Sequence, residues 1–561
     1  MELKNLFKVS AIVAAMALTG CGGDIEVTPT VNDNSVNNSN NTTNNEGNGN
    51  TGGDTGGDTG TTNPCTARTV GSTEVQGQFQ APHCVYSTEF ASKSLEIESD
   101  ITFSALENGG AHVFKGALLI GKDCNTSTGC TIDENGPTLT IEPGTVMAFT
   151  SGESIVRIAR GAKIDAVGTA DAPIRFTSAA EFEAFDLAGT GAQFADWGGI
   201  MVNGFGLTNE CTNAERDANN CNSDSEGITS YYGGNNNADS SGQIKYAHIW
   251  YAGSGPRDGG AGDDLNSLTL NAVGSGSSFE FLHIHQGFDD GIEFFGGAAS
   301  IKNIVVTDTQ DDAVDVDAGW QGKGQFILVK HGTIKTKQDV TYSDDDGNAQ
   351  LIPAGTEGFM GNNGFETDGE KNGGADYDQA PASTLNFANV TVLTTDGSSI
   401  RDNSASQGMK FDDAIRGMYY NALVVKAEAA NGTECLEFKN SDKDEAANAE
   451  ADNLNFANSV LACAANFKNG SETLPQGEGK EEWFRNDGSN LILGGAEDVL
   501  AADGFATNTS STAITIDAND LSALNDNFFT TVDYIGAVSD QDTSSEWYQW
   551  AKKAIDASNA D

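Results

Sequence analysis

Asp289-Asp290-Gly291-Ile292-Glu293-Phe294 is followed 22 residues later by Asp311-Asp312-Ala313-Val314-Asp315-Val316. The second copy keeps the paired aspartates, the small residue after them and the apolar–acidic–apolar triplet. A period of about 22 residues is that of one solenoid coil and too long for one helix turn or one sandwich strand. Phe387-Ala388-Asn389-Val390 returns as Phe456-Ala457-Asn458-Ser459 after 69 residues, read here as three coils of 23. Phe411-Asp412-Asp413-Ala414-Ile415 echoes the paired aspartates again.

Outward from these repeats, short apolar and β-branched runs recur between Gly, Asn and Asp. Examples are Leu139-Thr140-Ile141, Val146-Met147-Ala148-Phe149, Ile155-Val156-Arg157-Ile158, Ile304-Val305-Val306 and Phe326-Ile327-Leu328-Val329. They suit the brief faces of a coil, and helical periodicity is scarce before Ser545 to Ala557. The expected fold is therefore all-β: a right-handed parallel β-helix over residues 65–540, with a helical tail over 541–561. Asn303, Asn389, Asn421 and Asn458 each precede an apolar run and are read as a turn asparagine ladder, bonding coil to coil.

Stacking has a consequence for charge. Asp289, Asp290 and Glu293 would lie one coil from Asp311, Asp312 and Asp315, with Asp317 nearby. Coils are about 4.8 Å apart, so unpaired carboxylates in register repel. Either the aspartates cap turn amides or a hard cation, Ca²⁺ first, is bound among them. Asp344-Asp345-Asp346-Gly347-Asn348 has the look of a calcium loop, but its twelfth position is Gly355, so it reads as a solvated acidic loop.

The N-terminus addresses the compartment. Lys4 and Lys8 precede an apolar core, Val9 to Leu18, too short to span a bilayer; residues 1–20 read as a signal peptide. Leu18-Thr19-Gly20-Cys21 resembles the bacterial lipobox. That resemblance implies cleavage before Cys21 and its lipidation, and the absence of Asp directly after it implies the outer membrane. Residues 21–64 are Asn, Thr, Gly, Asp and Ser with little apolar surface to bury, hence a flexible tether. Eight further cysteines remain: Cys65, Cys84, Cys124, Cys130, Cys211, Cys221, Cys435 and Cys463. Their even number suits disulfides in an oxidising compartment. Of the 105 possible connectivities, the close spacings favour pairing in sequence order.

The net charge of −51 and pI near 4.1 argue against nucleic acid, because phosphate would be repelled. They favour cations and neutral or cationic surfaces as partners.

Ile141-Glu142-Pro143-Gly144-Thr145-Val146, then Arg160-Gly161-Ala162-Lys163-Ile164, Gly168-Thr169-Ala170-Asp171-Ala172-Pro173-Ile174-Arg175-Phe176-Thr177-Ser178 and Trp197-Gly198-Gly199 form an ordered series. The series, closing with Asp533-Tyr534-Ile535-Gly536-Ala537, resembles a group of bacterial cell-surface lipoproteins built as parallel β-helices of pectate-lyase-like architecture. The resemblance implies fold and surface location and supplies no catalytic residues.

Thr309-Gln310-Asp311-Asp312-Ala313-Val314 resembles locally the paired aspartates of polygalacturonases, yet the Gly-His-Gly and Arg-Ile-Lys that complete that site are missing. A lyase would need a calcium-like ion and a basic residue; Arg257, Lys323, Lys410 and Arg416 stand in no recognisable motif. His248, His283 and His285 have a spacing that permits zinc or copper, or plain stacking and burial. Trp250, Tyr251 and Trp320 are candidates for stacking on sugar rings, with core packing as the alternative. The function expected is a monomeric, surface-exposed binding or adhesion module for a glycan, a cell surface or a receptor. A calcium-dependent polysaccharide lyase or glycoside hydrolase is the second reading.

Overall fold

The computed structural model describes residues 63–254, 264–343, 348–359, 361–370, 380–395, 399–401, 407–426, 434–439, 448–449, 451–485, 488–495 and 498–561. The signal peptide, Cys21, nearly all of the tether, Arg257 and the Asp344–Gly347 stretch lie outside the described residues.

The coil is plainest in the middle of the chain. β1 (Gly242–Trp250) leads to β2 (Leu268–Asn271), and β3 (Ser278–His285) to β4 (Ile292–Phe295). β5 (Ser300–Thr307) leads to β6 (Val314–Asp317), β7 (Gly324–Lys330) to β8 (Asn363–Asp368) and β9 (Thr384–Thr394) to β10 (Gln407–Asp412). The odd-numbered strands pair in parallel with one another, as do the even-numbered ones. Ile284, Val306, Val329 and Val392 form one inward row, and Ile292, Val314, Phe365 and Met409 another. The expected parallel β-helix is the fold. Its interior also carries an aromatic stack: Phe294, Trp320, Phe387, Tyr419 and Phe456 have successive centroids 4.8, 5.3, 5.5 and 5.0 Å apart. Such rings supply large buried area with offset packing.

Each long strand bends at one residue of positive φ: Tyr246, Phe281, Asn303, Phe326 and Asn389 in β1 to β9, then Asn421 and Asn458 in the next two coils. The bend divides one wall into two and gives each coil three faces. In earlier coils the same corner separates two strands, Thr138–Ile141 and Val146–Phe149, and the motif Pro143-Gly144-Thr145 makes it, with Gly144 at φ 77°. Gly199, in Trp197-Gly198-Gly199, is required for a second reason besides its φ of 87°: a Cβ there would sit 2.1 Å from the Asn266 carbonyl oxygen.

Two expectations are corrected here. Phe387 aligns with Tyr419 and Tyr419 with Phe456, so the 69 residues between the repeats are two coils lengthened by loops, not three of 23. The asparagines do occupy one corner column, but their amides do not form a coil-to-coil ladder of asparagines. Asn389, Asn421 and Asn458 instead hold the C-terminal segment. Asn389 Nδ2 donates to the carbonyls of Tyr534 (3.1 Å) and Gly536 (3.2 Å). Asn421 donates to Asn519 O at 3.3 Å and accepts from Asn519 N at 2.6 Å, and Asn458 Nδ2 donates to Asp517 O at 2.9 Å.

The coil strands stop at Leu491–Leu493, short of the residue-540 boundary expected. Residues 480–485 form a short helix whose Trp483 and Phe484 are buried against Phe438 and Phe456, which closes that end of the stack. Residues 498–561 then lie along the outside of the odd-numbered wall. Helix α1 (Glu546–Ser558), capped by Ser545 Oγ, sets Trp547, Trp550, Ala554 and Ile555 on outward Val305, Phe326, Leu328 and Leu393. The helix is thus packed rather than a free tail. Replacing Asn421 with alanine should cost about 1–2 kcal/mol, from its lost bonds and its left-handed backbone. Hydrogen exchange should show that loss first in the amides of residues 517–536; uniform exchange would count against the corner column as the anchor.

All four disulfides join neighbours in sequence order: Cys65–Cys84, Cys124–Cys130, Cys211–Cys221 and Cys435–Cys463. Arg160, of the Arg160-Gly161-Ala162 motif, ties two of these loops together. Its guanidinium donates to the carbonyls of Cys124 (2.6 Å), Cys221 (2.8 Å) and Gly233 (2.8 Å), and burial lowers it to about 10.

Candidate functional site

The paired aspartates sit at the corner leading into the even-numbered wall, and within each pair the two members do different things. Asp290 and Asp312 face along the stack. Asp290 N donates to Asn266 Oδ1 (3.1 Å), Asp312 N to Asp290 Oδ1 (2.8 Å) and Asn363 N to Asp312 Oδ1 (2.7 Å). Each side chain therefore accepts the corner amide of the next coil. These two are turn caps, one of the two roles anticipated for them.

Asp289 and Asp311 point to Arg401. Its Nη1 donates to Asp289 and, at 3.0 Å, to Asp311 Oδ2, while Nη2 donates to Asp264. Its guanidinium carbon lies 5.0 Å from the centre of the Phe288 ring. The Arg401 side chain is only 10% exposed, which weakens solvent screening of these pairs. Burial alone would lower the Arg401 pKa, but Asp289, Asp311 and Asp264 together raise it well above its ordinary value. Asp289 and Asp311 thus already have an organic cation in the place expected for a metal ion. Arg401 was not singled out in the sequence, because a lone arginine in a loop carries no motif.

The strand that follows carries a third row. Glu293, Asp315, Glu366 and Lys410 are partners in register across β4, β6, β8 and β10. Lys410 is bonded to Glu366, and Glu293 accepts from Asn266 Nδ2. Asp315 Oδ1 is shut from solvent and takes no hydrogen bond among the described residues. Asp290, Glu293 and Asp315 each offer an oxygen within 4.8 Å of the others. Burial first, then neighbouring carboxylates, raises all three well above the usual carboxylate range. Three hard oxygen donors with excess charge suit Ca²⁺, and they are the part of the expected metal set still suited to one.

A fourth row runs beside it. Phe295 and Asp317 are register partners, as are Asp368 and Asp412 in later coils of the same wall. Asp317 accepts from the Ala318 amide, and Asp412 is paired with Lys439. Asp412 therefore belongs at the strand's far end. The Phe411-Asp412-Asp413 echo is not in register with Asp290 and Asp312.

The remaining candidates separate cleanly. Trp320 is wholly buried, and its Nε1 donates to Ala299 O at 2.9 Å. Tyr251 is 5% exposed with its hydroxyl on Asp561 Oδ2 at 2.8 Å. Trp250 is half-buried beneath Arg175, 5.3 Å from its ring centre, and donates to His283 Nδ1 at 3.2 Å. Trp320 and Tyr251 are therefore buried and not placed to stack on a sugar as expected, and the half-buried Trp250 is already covered by Arg175. Thr307 Oγ1 lies 3.0 Å from His283 Nε2 and 2.8 Å from His285 Nδ1, and burial pushes His248 down to about 3. This is a packed cluster under α1, where His248 stacks on Trp550. Of the candidate bases, Lys323 is paired with Asp526 and Arg416 with Glu370 at 2.9 Å.

No curated protein matches the sequence. A family model described as a pectate-lyase like beta helix domain matches residues 115–490. The match spans more than half of the chain and stops where the coils stop, and the chain belongs to that family.

Proposed function

We propose that this chain is a non-catalytic binding module, displayed at the bacterial outer membrane by lipid on Cys21, which engages a glycan, a cell surface or a receptor and is stabilised by calcium. The observation that carries the non-catalytic reading is the state of the basic residues at the acidic stack. A lyase base must give up its proton. Lys410 instead has its pKa raised, because Glu366 and Asp312 outweigh the effect of burial, and Arg401 is raised in the same way. Both are held as cations.

The carboxylates do not fit an inverting hydrolase. An inverting hydrolase holds its pair about 6.5–9.5 Å apart to admit water. Asp289, Asp290 and Asp311 offer oxygens within 4.8 Å of one another, and Asp290 and Asp312 are occupied as caps.

Purified full-length protein should leave polygalacturonate and neutral polysaccharides at unchanged chain length in the presence of calcium, while at least one retards it in affinity electrophoresis. Chain shortening that disappears in Asp311→Asn would establish the hydrolase reading instead. For the anchor, Cys21→Ser should move the protein from the detergent phase to the aqueous phase, or leave it unprocessed. Unchanged partitioning would refute lipidation at Cys21.

A further inference from the structure

A cleft of about 550 Å³ opens between the first coils and the insertion after strand Ile174–Ser178. Its walls are largely apolar, with Val85, Phe149, Ala184, Phe185 and Leu187 among them. Polar residues share the lining, the acidic Asp186 and Asp196 among them. Asp196 accepts from Ser178 Oγ (2.6 Å), Gln193 N (3.1 Å) and Gln338 Nε2 (3.0 Å). A carboxylate has about four acceptor positions, so one remains. Gln338 Oε1 takes no hydrogen bond from the described residues, and Lys115 Nζ makes no ion pair or hydrogen bond among them; both residues line the cleft. On the rim Leu187 is 98% exposed. No residue of the acidic stack lines this space.

We propose that this cleft binds a neutral saccharide of one or two residues. Sugar hydroxyls both donate and accept. They can donate to the remaining Asp196 position and to Gln338 Oε1, and accept from Lys115, while the C–H face of the ring lies on Phe185. The volume falls within the range of small-ligand sites, and mostly apolar walls with a few placed polar groups are their usual make-up. A uronate is disfavoured, since Asp186 and Asp196 line the cleft beside the single lining lysine, Lys115, within a chain of net charge −51. The burial that raises Asp196 to about 6 is consistent with a carboxylate whose last acceptor position gains from a ligand hydroxyl. The inference rests on the reading of the chain as a binding module and is independent of the calcium site.

The test uses the full chain with cellobiose, lactose, maltose and digalacturonate as probes, read by saturation-transfer NMR and titration. At least one neutral disaccharide should bind, and digalacturonate should bind more weakly. Ala184→Trp alters an exposed wall residue and fills the cleft without touching the core; it should weaken binding at least tenfold. Asp196→Asn should weaken it too. Binding that survives Ala184→Trp overturns the cleft as the site and leaves the binding-module reading standing. Binding of none of the three neutral sugars, or preference for digalacturonate, overturns the proposal itself. Retardation by polysaccharide tests the wider reading separately.

Discussion

Replacing Arg401 with methionine is expected to destabilise the folded protein by about 3–5 kcal/mol, the usual cost of removing one partner from a buried ionic group. The cost arises from what is left behind. Asp264, Asp289 and Asp311 all bond to this guanidinium, and Asp264 is 2% exposed. Without Arg401 they lose this counter-charge in a poorly solvated corner, which favours the uptake of protons. Chemical denaturation at about pH 7 should show the loss as a shift in midpoint at constant slope. Adding Asp289→Asn should return part of it, because the double variant no longer carries the Asp289 charge that lost its guanidinium. A second consequence is specific to this geometry. Asp289, Asp290 and Asp311 already lie close enough to share an ion, so the Arg401→Met protein should gain a calcium response beyond that of the wild type. A loss below about 1 kcal/mol, with no added calcium response, would mean that the guanidinium is not the counter-ion of this corner.

The coil itself was legible because its evidence repeats. The 22-residue return of the aspartate pair is the true spacing of β4 and β6, and the ordered series of β-helix motifs falls on real corners at Gly144 and Gly199. The count failed between Phe387 and Phe456, where Tyr419 is the one register partner in between: two coils lengthened by loops stand where a fixed period would place three. The corner column was half legible. Asparagine accepts the left-handed region readily, so Asn303, Asn389, Asn421 and Asn458 were noticed. Tyr246, Phe281 and Phe326 occupy the same column at φ 50°, 53° and 58°, and bulky residues give no sign of such a backbone. Their rings instead meet the C-terminal segment, Tyr246 and Phe281 packing edge-on to Trp550.

The acidic stack was legible as a stack and illegible as a division of labour. Sequence placed seven carboxylates together. Which of them cap, which pair and which remain depends on orientation at one corner and on Arg401, a residue about 90 positions away from Asp311. The aromatic candidates failed for a related reason. Trp320 and Tyr251 look the same in sequence whether they face a ligand or the core, and here the core and the C-terminal segment hold them.

Calcium is expected to stabilise the wild type by about 2.7 kcal/mol at a hundredfold excess over its Kd, more strongly near pH 7.5 than near pH 5, with protons released as it binds. The sign follows from the carboxylates that remain. Burial chiefly, and the charges around them secondarily, raises Asp290, Glu293 and Asp315 above their unfolded values. Between those two values the native state holds more protons than the unfolded chain. Their contribution to stability is therefore full below about pH 4 and is lost as pH rises through the folded values. Calcium binds the ionised groups and compensates most where that loss is greatest. His248, His283 and His331, lowered by burial, act in the opposite direction: their contribution is present above about pH 6.5 and fades as pH falls. Comparing melting with calcium and with chelator at each pH cancels the histidines and isolates the stack. Glu293→Gln with Asp315→Asn should abolish the calcium increment and raise apo stability near pH 7.5, since neutral amides remove the repulsion. Asp290→Asn keeps a carbonyl oxygen for the Asp312 amide and should preserve the cap while weakening the ion. A wild type that melts identically with and without calcium at both pH values would show that protons and Asn266 alone relieve the stack.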